Sequence, residues 1–197
     1  GSDNTASGYQ SLYNNTTGVE NVSVGANSLE TNTTGASNVA MGWKALASNT
    51  TAGSNTGLGN EALRLNTTGA NNTAVGARSL YVNTTGHSNT ALGQGSLLSN
   101  TTAIENTAVG RFSMEATTTG SYNTAVGISA LPQNTTGDGN TAYSRRAMYS
   151  NTTGSRNVAI GYSSLYNNTT ADNNTAVGYS ALQGVTTGTD NTALGYN

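Results

Sequence analysis

An asparagine returns every 17 residues along the whole chain, and this period constrains the fold more than any other feature. The series runs Asn4, Asn21, Asn38, Asn55, Asn72, Asn89, Asn106, Asn123, Asn140, Asn157, Asn174 and Asn191 without one insertion. Four residues after each comes a glycine, from Gly8 to Gly195, with Ser144 as the one replacement. The unit reads N-T-A-V-G-x-x-S/A-L-x-x-N-T-T-G-x-x. Seventeen residues is too short for a helix pair or a propeller blade and suits one coil of a β-solenoid. A continuous helix is excluded by glycine at two positions of almost every unit and by the Thr-Thr pairs. The expected fold class is all-β: a parallel β-solenoid, or β-roll, of about eleven to twelve 17-residue coils with two short strands per coil. The first strand is Asn72–Gly76 and its equivalents, and the second is centred on Ser79–Tyr81. Asn83–Gly86 and its equivalents supply the turn.

Composition agrees with a narrow repeated core. Leu, Ile, Val and Phe make up only 29 of 197 residues, yet the formal net charge is −2, so the self-repulsion of a disordered chain is missing. There is no cysteine, hence no disulfide or thiolate metal site. No apolar run is long enough to span a membrane, and residues 1–20 lack the layout of a signal peptide. Seven scattered basic residues argue against nucleic acid as a partner. Gly1 and Ser2 stand outside the repeat frame, as a cloning remnant would, and residues 3–197 are expected to form one repeat domain. Ser7 in a core column and the part-copy ending at Asn197 are what an excerpt from a longer chain would show.

Strand alternation assigns faces to the columns. The fourth residue of the unit is apolar in nearly every copy (Val24, Met41, Leu58, Val75, Leu92, Val109 and onward), and it is expected to face inward with the second, Thr or Val. Both would meet the Leu column running from Leu12 to Leu182. The third and fifth residues would then form an outer stripe of small residues: Ala40, Gly42, Ala74, Gly76, Ala91, Gly93, Ala108, Gly110, Ala125, Gly127, Ala159, Gly161, Ala176 and Gly178. Uniform small residues let another backbone approach, so this stripe is the expected contact between copies of the chain.

Val158-Ala159-Ile160-Gly161 and Val39-Ala40-Met41-Gly42, each preceded by Asn, resemble the N-S-V-A-I-G repeat in the heads of trimeric autotransporter adhesins. That resemblance implies a left-handed parallel β-roll, three of which pack side by side. The longer unit, Asn157–Gly161 with Ser164-Leu165-Tyr166-Asn167-Asn168-Thr169-Thr170, is similar to the repeat arrays of phage-tail-fibre-type proteins. Those arrays often precede a self-cleaving chaperone domain that this sequence lacks.

No residue set has the layout of a catalytic, cofactor or metal site, and an enzyme is not expected. His87 is the only histidine and falls in a turn column shared with Ala70, Ser121 and Asp138. The acidic residues occupy variable columns at no fixed spacing, which leaves paired-carboxylate chemistry and repeat calcium sites without a frame. Nine Asn-Thr-Thr segments match a glycosylation acceptor, but their periodicity favours a structural turn ladder. Aromatic residues gather in two variable columns, Tyr9, Trp43, Tyr162, Tyr179 and Tyr196 after the Gly, and Tyr13, Tyr81, Tyr149 and Tyr166 after the Leu. Ala26, Arg64, Arg111 and Gln183 interrupt them. The unit Asn140–Arg156 deviates most, through Tyr143, Ser144, Arg145, Arg146 and Met148, and is expected to be a kink or a drifted copy, or else a local recognition patch.

The expected function is a structural or adhesive fibre segment, homotrimeric, extracellular, on a cell surface or virion appendage, touching a surface protein or glycan. The rival expectation is ice binding through registered threonines. Alternation lets one Thr of each pair face outward, giving the candidate row Thr34, Thr51, Thr68, Thr85, Thr102, Thr119, Thr136, Thr153 and Thr170.

Overall fold

The computed structural model describes residues 1–197, and the chain is a parallel β-solenoid. Twelve three-residue strands, β1 (Thr5–Ser7) to β12 (Thr192–Leu194), pair in sequence order in one parallel sheet. Each step advances the register by one unit, as in Thr73↔Thr90, Ala74↔Ala91 and Val75↔Leu92. At about 4.8 Å between paired strands, eleven steps make a sheet about 50 Å long.

Each coil holds one strand, not two. Opposite the strand, every member of the Leu column from Leu12 to Leu182 is left-handed, with φ between 46° and 55°. Such a residue cannot continue an extended segment. The backbone there still bonds to the next coil: Leu80 N–H donates to Ser96 O at 3.0 Å and Val82 N–H to Leu98 O at 3.1 Å. A left-handed non-glycine residue costs about 1–2 kcal/mol, while burying a leucine side chain stabilises by about 1.5–3 kcal/mol. The two nearly cancel, so leucine burial alone does not hold the coil.

The core is inverted relative to the sequence expectation. From Ser23 to Ala176 the middle residue of every strand is buried, and its neighbours on either side are half-buried or exposed. Val75 is half-exposed, and Met41 and Leu92 are exposed, so the Val/Leu column faces out with the Thr column beside it. What meets the Leu column inside is alanine, flanked by the buried Ser/Ala column Ser28, Ala45, Ala62, Ser79 and Ser96. Where this residue is a buried serine, its hydroxyl donates to the glycine carbonyl three residues back, as from Ser79 to Gly76 at 2.9 Å.

Two buried asparagine ladders supply what the thin apolar core lacks. In the first, Asn55 N–H donates to Asn38 Oδ1 at 3.0 Å and Asn55 Nδ2 donates to Gly69 O at 2.9 Å. In the second, Asn49 Nδ2 donates to Asn32 Oδ1 at 2.9 Å and to Ala52 O at 3.0 Å. Each amide thus ties one coil to the next while capping a turn within reach. Buried polar groups satisfied in this way contribute about 1 kcal/mol net apiece, and one left unsatisfied costs more. Hence both columns hold one residue type almost throughout.

Candidate functional site

The strand columns and the threonine pairs repeat one chemistry from coil to coil. The expected outer stripe does not exist: Ala40, Ala74, Ala91, Ala108, Ala125, Ala159 and Ala176 are wholly buried and cannot contact another molecule. The glycines Gly42, Gly76, Gly93, Gly110, Gly127, Gly161 and Gly178 are half-buried, with φ between +125° and +138°. A Cβ on Gly76 would stand 2.7 Å from the Gly93 carbonyl carbon. Small residues do allow close backbone approach here, but the approaching backbone is the next coil of the same chain.

The threonine pairs divide their work. The first Thr of each pair donates its hydroxyl to the carbonyl of its equivalent one coil on, as from Thr67 to Thr84 O at 2.9 Å. The second stands exposed in every one of the nine coils, as Thr34, Thr51, Thr68, Thr85, Thr102, Thr119, Thr136, Thr153 and Thr170. Eight of the nine asparagines of these segments are buried in the second ladder, and the ninth, Asn15, is half-buried with its Nδ2 donating to Gly18 O at 3.0 Å. His87 is exposed, and its ring hydrogen-bonds only to the neighbouring Ser88, Nδ1 to Oγ at 3.3 Å.

Two parts of the coil surface vary: the pair before each first-ladder asparagine, from Ser2-Asp3 to Thr189-Asp190, which carries six of the nine acidic residues, and a broader variable side. This side is built from the two residues after the glycine and the residue after the Leu column. Ten of the twelve aromatic residues lie there, all but Tyr122 and Tyr143. Six of the seven basic residues also lie there (Lys44, Arg64, Arg78, Arg111, Arg145 and Arg146), against only three of the nine acidic ones, Glu30, Glu61 and Glu115. Tyr, Trp and Arg are the residues that carry most binding energy at protein surfaces. The two aromatic columns are visible in the sequence, but their joining across a shared groove is not.

Two parts of the variable side differ in kind. In the middle of the rod, the Glu61 carboxylate accepts from Arg64 Nη1 and from Arg78 Nε, the latter at 2.8 Å, and Arg64 also donates to Tyr81 Oη at 2.9 Å. Glu61 is almost fully covered. This is a closed, internally satisfied network. Toward the other end, rings stack along the axis: Tyr149 on Tyr166 at 5.1 Å between centroids, Tyr162 on Tyr179 at 5.2 Å, and Tyr179 on Tyr196 at 5.3 Å. The deviant unit at their base is not kinked. Its strand β9 (Thr141–Tyr143) keeps full register with both neighbours.

No protein-family model, curated protein or solved structure matches this chain. Fold and surface together define its class: a parallel β-solenoid with 17-residue coils, one strand per coil, and a surface constant along the strand and threonine columns and variable elsewhere.

Proposed function

We propose that the chain is a rigid segment of a surface-exposed fibre, a rod that displays its variable side to a partner. The observation that carries this reading is the division just described: core, strand and threonine columns are held constant by the fold, while the aromatic and basic side is free to differ in every coil. A scaffold needs constancy on the sides that build it and diversity only where it is read. The inward alanines remove the expected route of trimer assembly. Lateral association of copies, as in the adhesin heads that the strand cores resemble, would instead use the outward apolar column of Val75, Leu92, Val109 and Val126. Exposed contiguous apolar surface of this kind marks interaction sites.

Multi-angle light scattering at micromolar concentration tests the association. A trimer that falls to monomer in the double variant Val75→Lys/Val109→Lys is expected; a strict monomer in the unmodified protein removes the trimer.

The exposed threonine row favours a second reading, ice binding. Nine hydroxyl-and-methyl side chains repeat along the axis at about 4.8 Å, and a fixed array of that kind is suited to holding water in lattice order. Thermal hysteresis of the purified protein separates the readings, and none at millimolar concentration ends the second.

A further inference from the structure

We propose that the two tyrosine ladders between Asn140 and Asn197 bound a groove for an acidic glycan. An open groove of about 510 Å³ lies there, with Tyr162, Tyr179 and Tyr196 along one wall and Tyr166 on the other. Ser163, Ser180 and Gln183 add polar groups to its lining, and Arg146 lies at the end nearer the middle of the rod. Its size is that of sites taking small organic ligands or a few sugar units.

The chemistry of the walls selects for negative charge. The rings face one another along the axis, so what they offer the groove is edges and hydroxyls. Ring edges carry the positive end of the aromatic quadrupole. The Arg145 guanidinium lies 5.8 Å from the Tyr162 ring centroid and that of Arg146 5.8 Å from Tyr149, so each ladder is capped by one cation. Neither arginine pairs with a carboxylate, since the three ion pairs of the chain involve Arg64, Arg78 and Arg156. No acidic residue stands on the ring-bearing side beyond Glu115; Asp138, Asp172 and Asp190 lie in the pair before the first-ladder asparagine. One unpaired cation in the lining, a second beside Tyr162 at its edge, phenol hydroxyls, serine hydroxyls and an amide make a surface of hydrogen-bonding groups with sparse positive charge. That matches a hydroxyl-rich chain bearing occasional carboxylate or sulfate groups. Single-stranded nucleic acid fits less well, because bases need free ring faces to stack on and these faces are already occupied.

The proposal deepens the adhesive side of the fibre reading and rests on it for the ligand's setting. The test is calorimetric titration of the 197-residue protein with polygalacturonate, dextran sulfate and uncharged dextran, alongside oligo-dT. Binding to at least one anionic polysaccharide and none to dextran is expected. The double variant Arg145→Ala/Arg146→Ser and the single variant Tyr179→Ala should each weaken it about tenfold or more. Ala77 and Ser163 already occupy the two arginine columns in other coils, so the double variant keeps its fold, which circular dichroism verifies. Unchanged binding by the double variant, equal binding of dextran, tighter binding of oligo-dT, or no binding at all overturns the groove. X-ray scattering on the same samples keeps the outcomes apart: a rod that binds no glycan leaves the fibre reading standing, whereas a compact or unfolded particle refutes that reading itself.

Discussion

Thr117 occupies the place of an asparagine in the second ladder, and the interruption leaves visible consequences. Its own Oγ1 and the Oδ1 of Asn100 are buried without any hydrogen-bond partner. On the far side, Asn134 Nδ2 donates to Gly137 O at 2.9 Å but to no side chain in the preceding coil. Thr117→Asn rejoins the ladder on both sides and should stabilise the protein by about 1–2 kcal/mol, read as a rise in the urea midpoint at unchanged slope. An unchanged or lower midpoint would mean that the orphaned atoms are not what weakens this coil. Ser144 is the second exception worth reverting. It replaces a column glycine and holds φ at +117°, a region that is almost closed to residues with a Cβ. Ser144→Gly should therefore gain about 1–3 kcal/mol in the same measurement, and a loss would show that the serine hydroxyl is contributing more than its backbone strain costs.

At the scale of the coil, the period, the parallel stacking and the turn segment are legible in the sequence, because each repeats a chemical type at a fixed spacing. Which face of the strand points inward is not, since alternation fixes two faces without saying which is the core. The deciding quantity is the width of the coil. A Cβ added to Gly57, which stands in the alanine column, would lie 3.4 Å from Leu46 Cδ1. The space between the walls thus takes a methyl group or, at Ser23, a hydroxymethyl whose oxygen bonds to Ser28, and no larger side chain. The volumes in the sequence carry that information: the third column is almost all Ala, while the fourth ranges from Val24 to Tyr143, as only an outward column can. The lack of a second strand is hidden for a related reason, because nothing in an S/A-L-x triplet announces a left-handed leucine. The groove is half legible, in its columns but not in its closure. Coil-to-coil contacts on the variable side also predict a pH response. Desolvation raises the pKa of Glu61, but the hydrogen bond from Arg78 and the charges of Arg64 and Arg78 together lower it more, leaving it below its ordinary 4.5. A carboxyl depressed in the folded state contributes stability above its unfolded pKa, and loses it as pH falls through the folded value. Urea midpoints should therefore hold level down to about pH 5 and decline below about pH 4.5. Glu61→Gln should lower the midpoint at neutral pH and flatten part of that acid decline; parallel curves for the two proteins would exclude the network as its source.

Over the whole molecule, stability is a sum of nearest-neighbour terms. Every ladder bond, strand pair and glycine contact joins a coil to the one before or after it, and none reaches farther. A one-dimensional stack of this kind tolerates loss of a whole unit far better than loss of part of one. Deleting residues 38–54 removes one coil and brings Asn55 onto Asn21 and Asn66 onto Asn32. Both asparagine ladders, the Leu column and the glycine column then close again, and the Glu61 network is left whole. Deleting residues 38–45 removes about half as much chain but sets every later column out of register, placing side chains such as Leu46 against the asparagine ladder and leaving buried amides unpaired. The whole-coil variant should keep the parent's circular dichroism per residue, shorten the rod by about 5 Å and lower Tm by no more than about 5 °C. The half-coil variant should lose its cooperative transition or split into two weaker ones, although it retains more of the sequence. If the whole-coil deletion proved as damaging as the half-coil deletion, the stack would have to depend on contacts beyond adjacent coils, and the independence of the variable columns from the constant ones would fail with it.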